Sequence, residues 1–215
     1  MGKNMYSLML SEDVVSLIDG MAAGAGTNRS NYINNILAEY VSYRTPEMRI
    51  KELMEQLDAM FSPRDAFSVM LRPSSSTFSM RSALAFKYNP TINYSIELDR
   101  TMSGTVGVLR AALRTQNASL RLYVMQFLKL WVKIEEAYGG GSEYLIEDAR
   151  FSKKLVLHGG GEISEEDISE AIVDYVCAFD SAIKAFFYNL DDTKKAVGEV
   201  EAIYRDYRSG AGILF

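Results

Sequence analysis

Hydrophobic and polar side chains alternate with a period of two near the start of the chain. From residue 5 to residue 10 they divide into two faces, Tyr6, Leu8 and Leu10 on one and Met5, Ser7 and Met9 on the other. This period is typical of a strand with one buried face. The pattern therefore predicts a short strand over residues 5–10.

The period then becomes helical, and it does so twice. Ser11 is a suitable N-cap for a first helix that ends near Gly24 and Gly26, and Asn28 is a suitable N-cap for a second that stops at Pro46. The apolar stripes at helical spacing are Val14, Leu17, Ile18, Met21 and Ala22 in the first helix and Ile33, Ile36, Leu37, Tyr40 and Val41 in the second. Both helices are thus expected to pack one face against a partner.

The rest of the chain contains segments with the helical period and segments with the strand period of two. Residues 46–61 predict a third, connecting helix. Strand patterns follow over 67–71, 84–88, 92–98, 105–114 and 151–157, with a hairpin turn at 89–91, and helices over 117–138, 164–188 and 191–207. We expect an α+β fold, in which an N-terminal module (1–45) and a connector helix (46–61) precede an antiparallel β-meander with packed helices (62–215).

The cysteine content and the first residues of the chain predict its cellular compartment. The chain has one cysteine, and its start lacks the apolar core of a secretory signal, which predicts a cytoplasmic protein without disulfides. The apolar run over 120–134 carries polar residues at helical spacing and predicts a core helix, so no membrane partner is expected.

The net charge of −5 is unevenly distributed. Residues 1–45 carry −1, residues 46–61 carry −2, residues 62–129 carry +6 and residues 130–215 carry −8. We expect the basic meander to pack against the acidic helices, although its cations could instead form an outward basic face. The cations considered for that face are Arg72, Arg81, Lys87, Arg110 and Arg114.

The segment YSLMLSEDVVSLIDGMAAGAGTNRSNYINNILAEYV, within residues 3–43, resembles the ribbon-helix-helix family of DNA-binding proteins. The resemblance lies in the alternating strand before Ser11-Glu12, the helix that ends in Gly24-Ala25-Gly26 and the stretch Gly26 to Ser30 that opens the second helix. It covers about a fifth of the chain.

The resemblance implies a homodimer whose paired strands enter the major groove of double-stranded DNA. The expected DNA-binding residues are Lys3, Met5, Ser7 and Met9 on the ribbon and Asn28, Arg29 and Ser30 around a phosphate. The expected dimerisation residues are Tyr6, Leu8, Leu10, Ile33, Ile36 and Leu37. Two methionines depart from the polar or basic groove face usual in the family, because methionine cannot make the bidentate pairs that discriminate bases.

Catalysis and cofactors are not expected. His158 to Gly161 matches an esterase oxyanion segment, but the chain has a single histidine and no Gly-x-Ser-x-Gly to complete a triad. One histidine and one cysteine supply few metal ligands, and Cys177 is interpreted as a buried, inert thiol.

The sequence thus favours a DNA-binding regulator, a transcriptional repressor, whose larger domain binds an effector, a protein partner or further copies of itself. The alternatives are a plasmid partition or copy-control protein, and an assembly protein that uses the ribbon only to dimerise. Salt dependence of DNA binding separates the third from the others.

Overall fold

The computed structural model describes residues 7–70, 76–101, 104–139, 143–157, 163–213 and 215. The chain divides into two compact units, Met1–Met48 and Arg49–Phe215. The described residues form six helices and a six-stranded antiparallel sheet, which confirms the α+β class. No helix of these segments is both long enough and apolar enough to cross a lipid bilayer.

The first unit contains two helices that pack on each other, α1 (Glu12–Gly24) and α2 (Arg29–Tyr40). Each buries only one residue, Ala22 in α1 and Ala38 in α2. The strand predicted over residues 5–10 is not supported: residues 7–10 form no strand, and helices come first along the chain. A ribbon strand needs a neighbouring strand with which to exchange hydrogen bonds, and the neighbour expected here is the same segment of a second copy.

The second unit is built on the sheet. The strands are β1 (Phe67–Val69), β2 (Thr77–Ala83), β3 (Thr91–Leu98), β4 (Thr105–Leu113), β5 (Tyr144–Glu147) and β6 (Arg150–Val156), in the order β1-β2-β3-β4-β6-β5. The helices are α3 (Pro46–Phe61), α4 (Ala118–Ala137), α5 (Glu165–Tyr188) and α6 (Thr193–Gly210). Asn117 caps α4, and Ser164 and Asp167 form a capping box at α5, so both helices begin where the sequence predicts.

One core joins the helices to one face of the sheet. Phe179 of α5 lies at its centre, with its ring centroid 5.3 Å from that of Phe127 in α4 and 5.2 Å from that of Phe151 in β6. Phe61 of α3 contacts Phe67 and Phe78 on the first two strands. Helix α3, expected as a connector, therefore contributes to this core.

The strands differ from the sequence prediction at 84–88, at β2 and at β5. The strand predicted over 84–88 is wrong, because β2 lies at Thr77–Ala83 and the next residues turn back towards β3. Within the loop 84–90 that joins β2 to β3, Tyr88 and Asn89 have positive φ values of 65° and 42°. Leu84 and Phe86 show the spacing of a strand because both side chains pack beneath this turn: Leu84 is buried, and Phe86 contacts Phe187.

A charged pair lies inside the core. Lys153 of β6 donates to Glu135 of α4 (Nζ to Oε1, 2.7 Å) and to the carbonyl oxygen of Phe215 (3.0 Å), and both charged side chains are about 1–2% exposed. The ammonium also lies 4.3 Å from the ring centroid of Tyr175. Burial lowers the pKa of Lys153, and the Glu135 carboxylate opposes that shift.

Candidate functional site

The start of α2 has the local structure that the sequence predicts. Gly26 adopts a positive φ of 64°, and the Asn28 side chain accepts a hydrogen bond from the backbone N–H of Asn31 (2.9 Å). Asn28, Arg29 and Ser30 are all exposed. An exposed helix N-terminus of this kind attracts anions through its N–H groups and its dipole.

Arg29 has a partner that the sequence did not reveal. Its Nε donates to Oδ1 of Asp19 in α1 at 2.6 Å, and its Nη2 donates to Oδ2. The hydrogen bond from Arg29 lowers the pKa of Asp19, and the same contact raises the pKa of Arg29. The guanidinium expected to contact a phosphate is therefore already paired with a carboxylate.

Of the predicted ribbon residues, Lys3, Met5 and Tyr6 lie outside the described residues. Ser7 and Met9 are exposed. Leu8 and Leu10, expected to pack inward, are 64% and 44% exposed in the single chain. Both faces of this segment are thus open to solvent.

The first unit exposes an unusual number of large apolar side chains. Ile33, predicted at the dimer interface, is half-buried, while Ile36 and Leu37 are exposed. Eleven of the fifteen exposed large hydrophobic residues in the described segments lie here: Leu8, Met9, Leu10, Val14, Leu17, Met21, Ile36, Leu37, Tyr40, Val41 and Tyr43. Large apolar patches on a folded chain indicate an interaction surface.

The expected basic set divides in the structure. Arg72 lies outside the described residues, and Lys87 lies in the turn after β2 rather than on a strand. Arg81 and Arg110 alternate with the core residues Met80 and Leu109, so they lie on the sheet face opposite the helices. The expectation that the meander's cations face the acidic helices is therefore wrong for these two arginines.

Most cations on this open face have partners there. Arg110 pairs with Glu97 at 2.7 Å, and Arg81 donates to Asn93 at 3.2 Å. Lys154 pairs with Glu143 at 2.6 Å. These contacts favour an ordinary solvated sheet face over a second nucleic-acid surface.

Other chemical candidates contribute little. Residues 158–161 lie outside the described residues. Cys177 is half-buried, and burial raises the pKa of its thiol, which disfavours the reactive thiolate. Within the segments that the structure describes, His, Cys, Asp and Glu side chains form no group of three suited to a metal ion.

Comparison of the chain with protein-family models, with curated proteins and with solved structures finds no match. Its functional assignment therefore depends on the resemblance of residues 3–43 and on the geometry of the first unit.

Proposed function

We propose that this chain is a homodimeric DNA-binding regulator, a transcriptional repressor whose paired N-terminal strands enter the major groove. The observation that supports it is the apolar surface of the first unit. That surface is concentrated in the segment that resembles a ribbon-helix-helix module, whose members fold only as intertwined pairs.

The energetics favour a partner of the same kind. Burial of a large apolar side chain stabilises a fold by about 1.5–3 kcal/mol. Helices α1 and α2 bury one alanine each, so the pair gains little from its own packing. A second copy would cover Leu8, Leu10 and Leu17 and supply the missing strand neighbour.

DNA contact would combine the ribbon and the start of α2. Lys3 and Ser7 supply polar groups on the groove side of the ribbon, and Asn28 to Ser30 supply backbone donors for a phosphate. Arg29 joins them only if phosphate competes with Asp19 for its guanidinium. Met5 and Met9 can contact thymine methyl groups.

Specific observations favour one rival, an assembly protein that uses the ribbon only to dimerise. Arg29 is occupied by Asp19, Met9 is fully exposed on the groove side, and residues 1–45 carry a net charge of −1. Each of these features would weaken attraction to a polyanion.

The decisive experiment measures oligomeric state and DNA affinity on the full chain. Sedimentation equilibrium should show a dimer for the wild type and a monomer for Leu8→Asp. Anisotropy titrations of a mixed-sequence duplex should show affinity that falls with salt, and Arg29→Ala should flatten the log–log salt slope by up to about two per dimer. Lys129→Ala, on the exposed side of α4, is the matched control.

The outcomes separate the two functions. Loss of affinity in Ser7→Asp and Arg29→Ala, with the dimer intact, supports DNA binding through the module. A dimer without salt-dependent DNA affinity supports the assembly protein. A stably folded monomer would contradict both.

A further inference from the structure

The second unit contains a polar hollow of about 440 Å³ at one end of the sheet. Three segments meet there: the loop between β4 and α4, the first turn of α4 and the hairpin turn between β5 and β6. The side chains that define it are Arg114, Thr115, Gln116, Arg121, Asp148 and Arg150. Three arginines therefore line one small concavity in a chain whose net charge is −5.

The fold explains why these arginines converge. Arg150, the first residue of β6, lies opposite Ala112 of β4, and Arg114 follows two residues after Ala112. Neighbouring strands lie about 4.8 Å apart, so both arginines reach the same end of the sheet. Arg121 comes from the adjoining first turn of α4.

The hairpin turn provides the only carboxylate among the residues that line the hollow. Asp148 and Ala149 both have positive φ, 44° and 60°, a conformation that non-glycine residues adopt at some cost. In this turn Asp148 pairs with Arg121. The pair orders one side of the hollow and neutralises one of the three arginines.

Two arginines remain uncompensated. Within the described segments, neither Arg114 nor Arg150 makes an ion pair, even though Glu147 stands opposite Arg150 in the register of β5 and β6. The hollow thus keeps a net charge of about +2, and neighbouring like charges repel each other without an anion between them.

The remaining groups are suited to an anion with several oxygens. The Thr115 hydroxyl accepts from the N–H of Asn117 (3.1 Å), so its own proton is available to donate, and Gln116 adds an amide. Helix α4 begins directly after this loop, and its N-terminus adds positive potential there. Guanidinium groups bind phosphoryl oxygens in bidentate fashion.

We propose that this hollow is a binding site for the phosphoryl group of a small ligand, held between Arg114 and Arg150. Its volume lies in the range of small-molecule sites and three segments of the chain line it, which suits a phosphorylated small molecule better than a DNA duplex. Such a site would give the larger unit an effector, and it does not depend on how the first unit functions.

The test is calorimetric titration of the full chain with pyrophosphate, followed by a nucleoside triphosphate. Wild-type protein should bind both, and Arg114→Gln and Arg150→Gln should each weaken binding at least about tenfold, because each removes charge-assisted hydrogen bonds. Asp148→Asn should strengthen binding, since it removes the carboxylate from the hollow. Arg81→Gln, on the open sheet face, is the matched control and should bind as the wild type does.

Folding is monitored in every variant by the thermal unfolding midpoint, and all four side chains are exposed, so that intact protein is expected. Absence of pyrophosphate binding at millimolar concentration, or binding that the Arg114→Gln/Arg150→Gln double variant retains, would overturn the proposal. Duplex DNA affinity that falls in the double variant, without pyrophosphate binding, would assign the hollow to the DNA backbone instead.

Discussion

Arg29, in the first turn of α2, holds the carboxylate of Asp19 in α1 through two hydrogen bonds from one guanidinium. The pair joins the two helices across the glycine-containing loop between them. It also occupies the side chain that the proposed module would use on a phosphate. A DNA phosphate that contacts this point must therefore compete with the Asp19 carboxylate for the Arg29 guanidinium.

Replacement of Asp19 by Asn should strengthen DNA binding by the full chain. The change frees the Arg29 guanidinium and removes a negative charge close to the expected phosphate. Anisotropy titrations should show higher affinity and a steeper salt slope, by up to about one per subunit. Asp13→Asn, which removes an exposed acid of α1 that does not pair with Arg29, should have a smaller effect. Equal gains in the two variants would argue against a specific role for Arg29.

Leu17→Asp should convert the dimer to a monomer. Leu17 is 69% exposed on α1, and the proposed partner copy would bury it, so a carboxylate there would lose its hydration on association. Leu122→Asp is the matched control, because Leu122 is 58% exposed on α4 of the second unit. Sedimentation velocity at several concentrations measures both. A dimer lost in the Leu122 variant and kept in the Leu17 variant would place the interface on the other unit.

The buried pair of Glu135 and Lys153 should show strong coupling in a double-mutant cycle. Lys153→Met or Glu135→Leu alone leaves one uncompensated charge in the core, which costs about 3–5 kcal/mol. The double variant removes both charges and should be more stable than either single variant. Urea unfolding of all four proteins measures this. Additive losses would indicate that the two side chains do not depend on each other.

Gly107→Ala should destabilise the second unit. A Cβ at this position would lie 2.2 Å from the carbonyl oxygen of Glu97, so β3 and β4 would have to separate locally, at a cost of about 1–3 kcal/mol or more. Gly198→Ala is the control: it lies inside α6 with nothing within 4 Å of a new Cβ and should stabilise by about 0.5–1 kcal/mol. Equal unfolding midpoints for the two variants would contradict the close approach at Gly107.

Stability should fall as the pH rises above about 10. Burial raises the pKa of Tyr94 and of Tyr175 well above the ordinary value, so the folded chain keeps phenol protons that the unfolded chain releases. Lys153, whose pKa burial lowers, acts in the opposite direction, but it is one group against two. Urea midpoints between about pH 9 and about pH 11 should decrease, and the phenolate absorbance of Tyr94 and Tyr175, identified by comparison with Tyr→Phe variants at these two positions, should appear together with unfolding. Reversible titration of these tyrosines in the folded state would contradict their burial.

The sequence predicts the helices better than the strands. The N-cap residues Asn28, Asn117 and Ser164 mark helix starts in the structure, because each side chain bonds locally to its own first turn. Strand β2 was missed because its buried face includes Ser82, which breaks the apolar alternation, whereas Leu84 and Phe86 imitate a strand beneath a turn. Side chains that pack beneath a turn have no regular spacing by which the sequence could distinguish them from a strand.

Residues of the candidate sites can be predicted from the sequence only where a local pattern identifies them. The N-cap role of Asn28, for example, follows from its position directly before a helix. Asp19 and Arg29 are ten residues apart on different helices, so their pairing depends on the angle between α1 and α2. Arg150 and Arg114 are neighbours only through the register of β4 and β6, which residue spacing does not reveal.

The strands at the two ends of the sheet order are short. In the described segments, β1 has three residues and β5 has four, whereas the four inner strands have seven to nine. Short edge strands offer few free N–H and C=O groups to a strand of another molecule, which protects a sheet from edge-to-edge aggregation. The larger unit therefore offers little edge for strand pairing, which agrees with the proposed pairing of copies through the first unit.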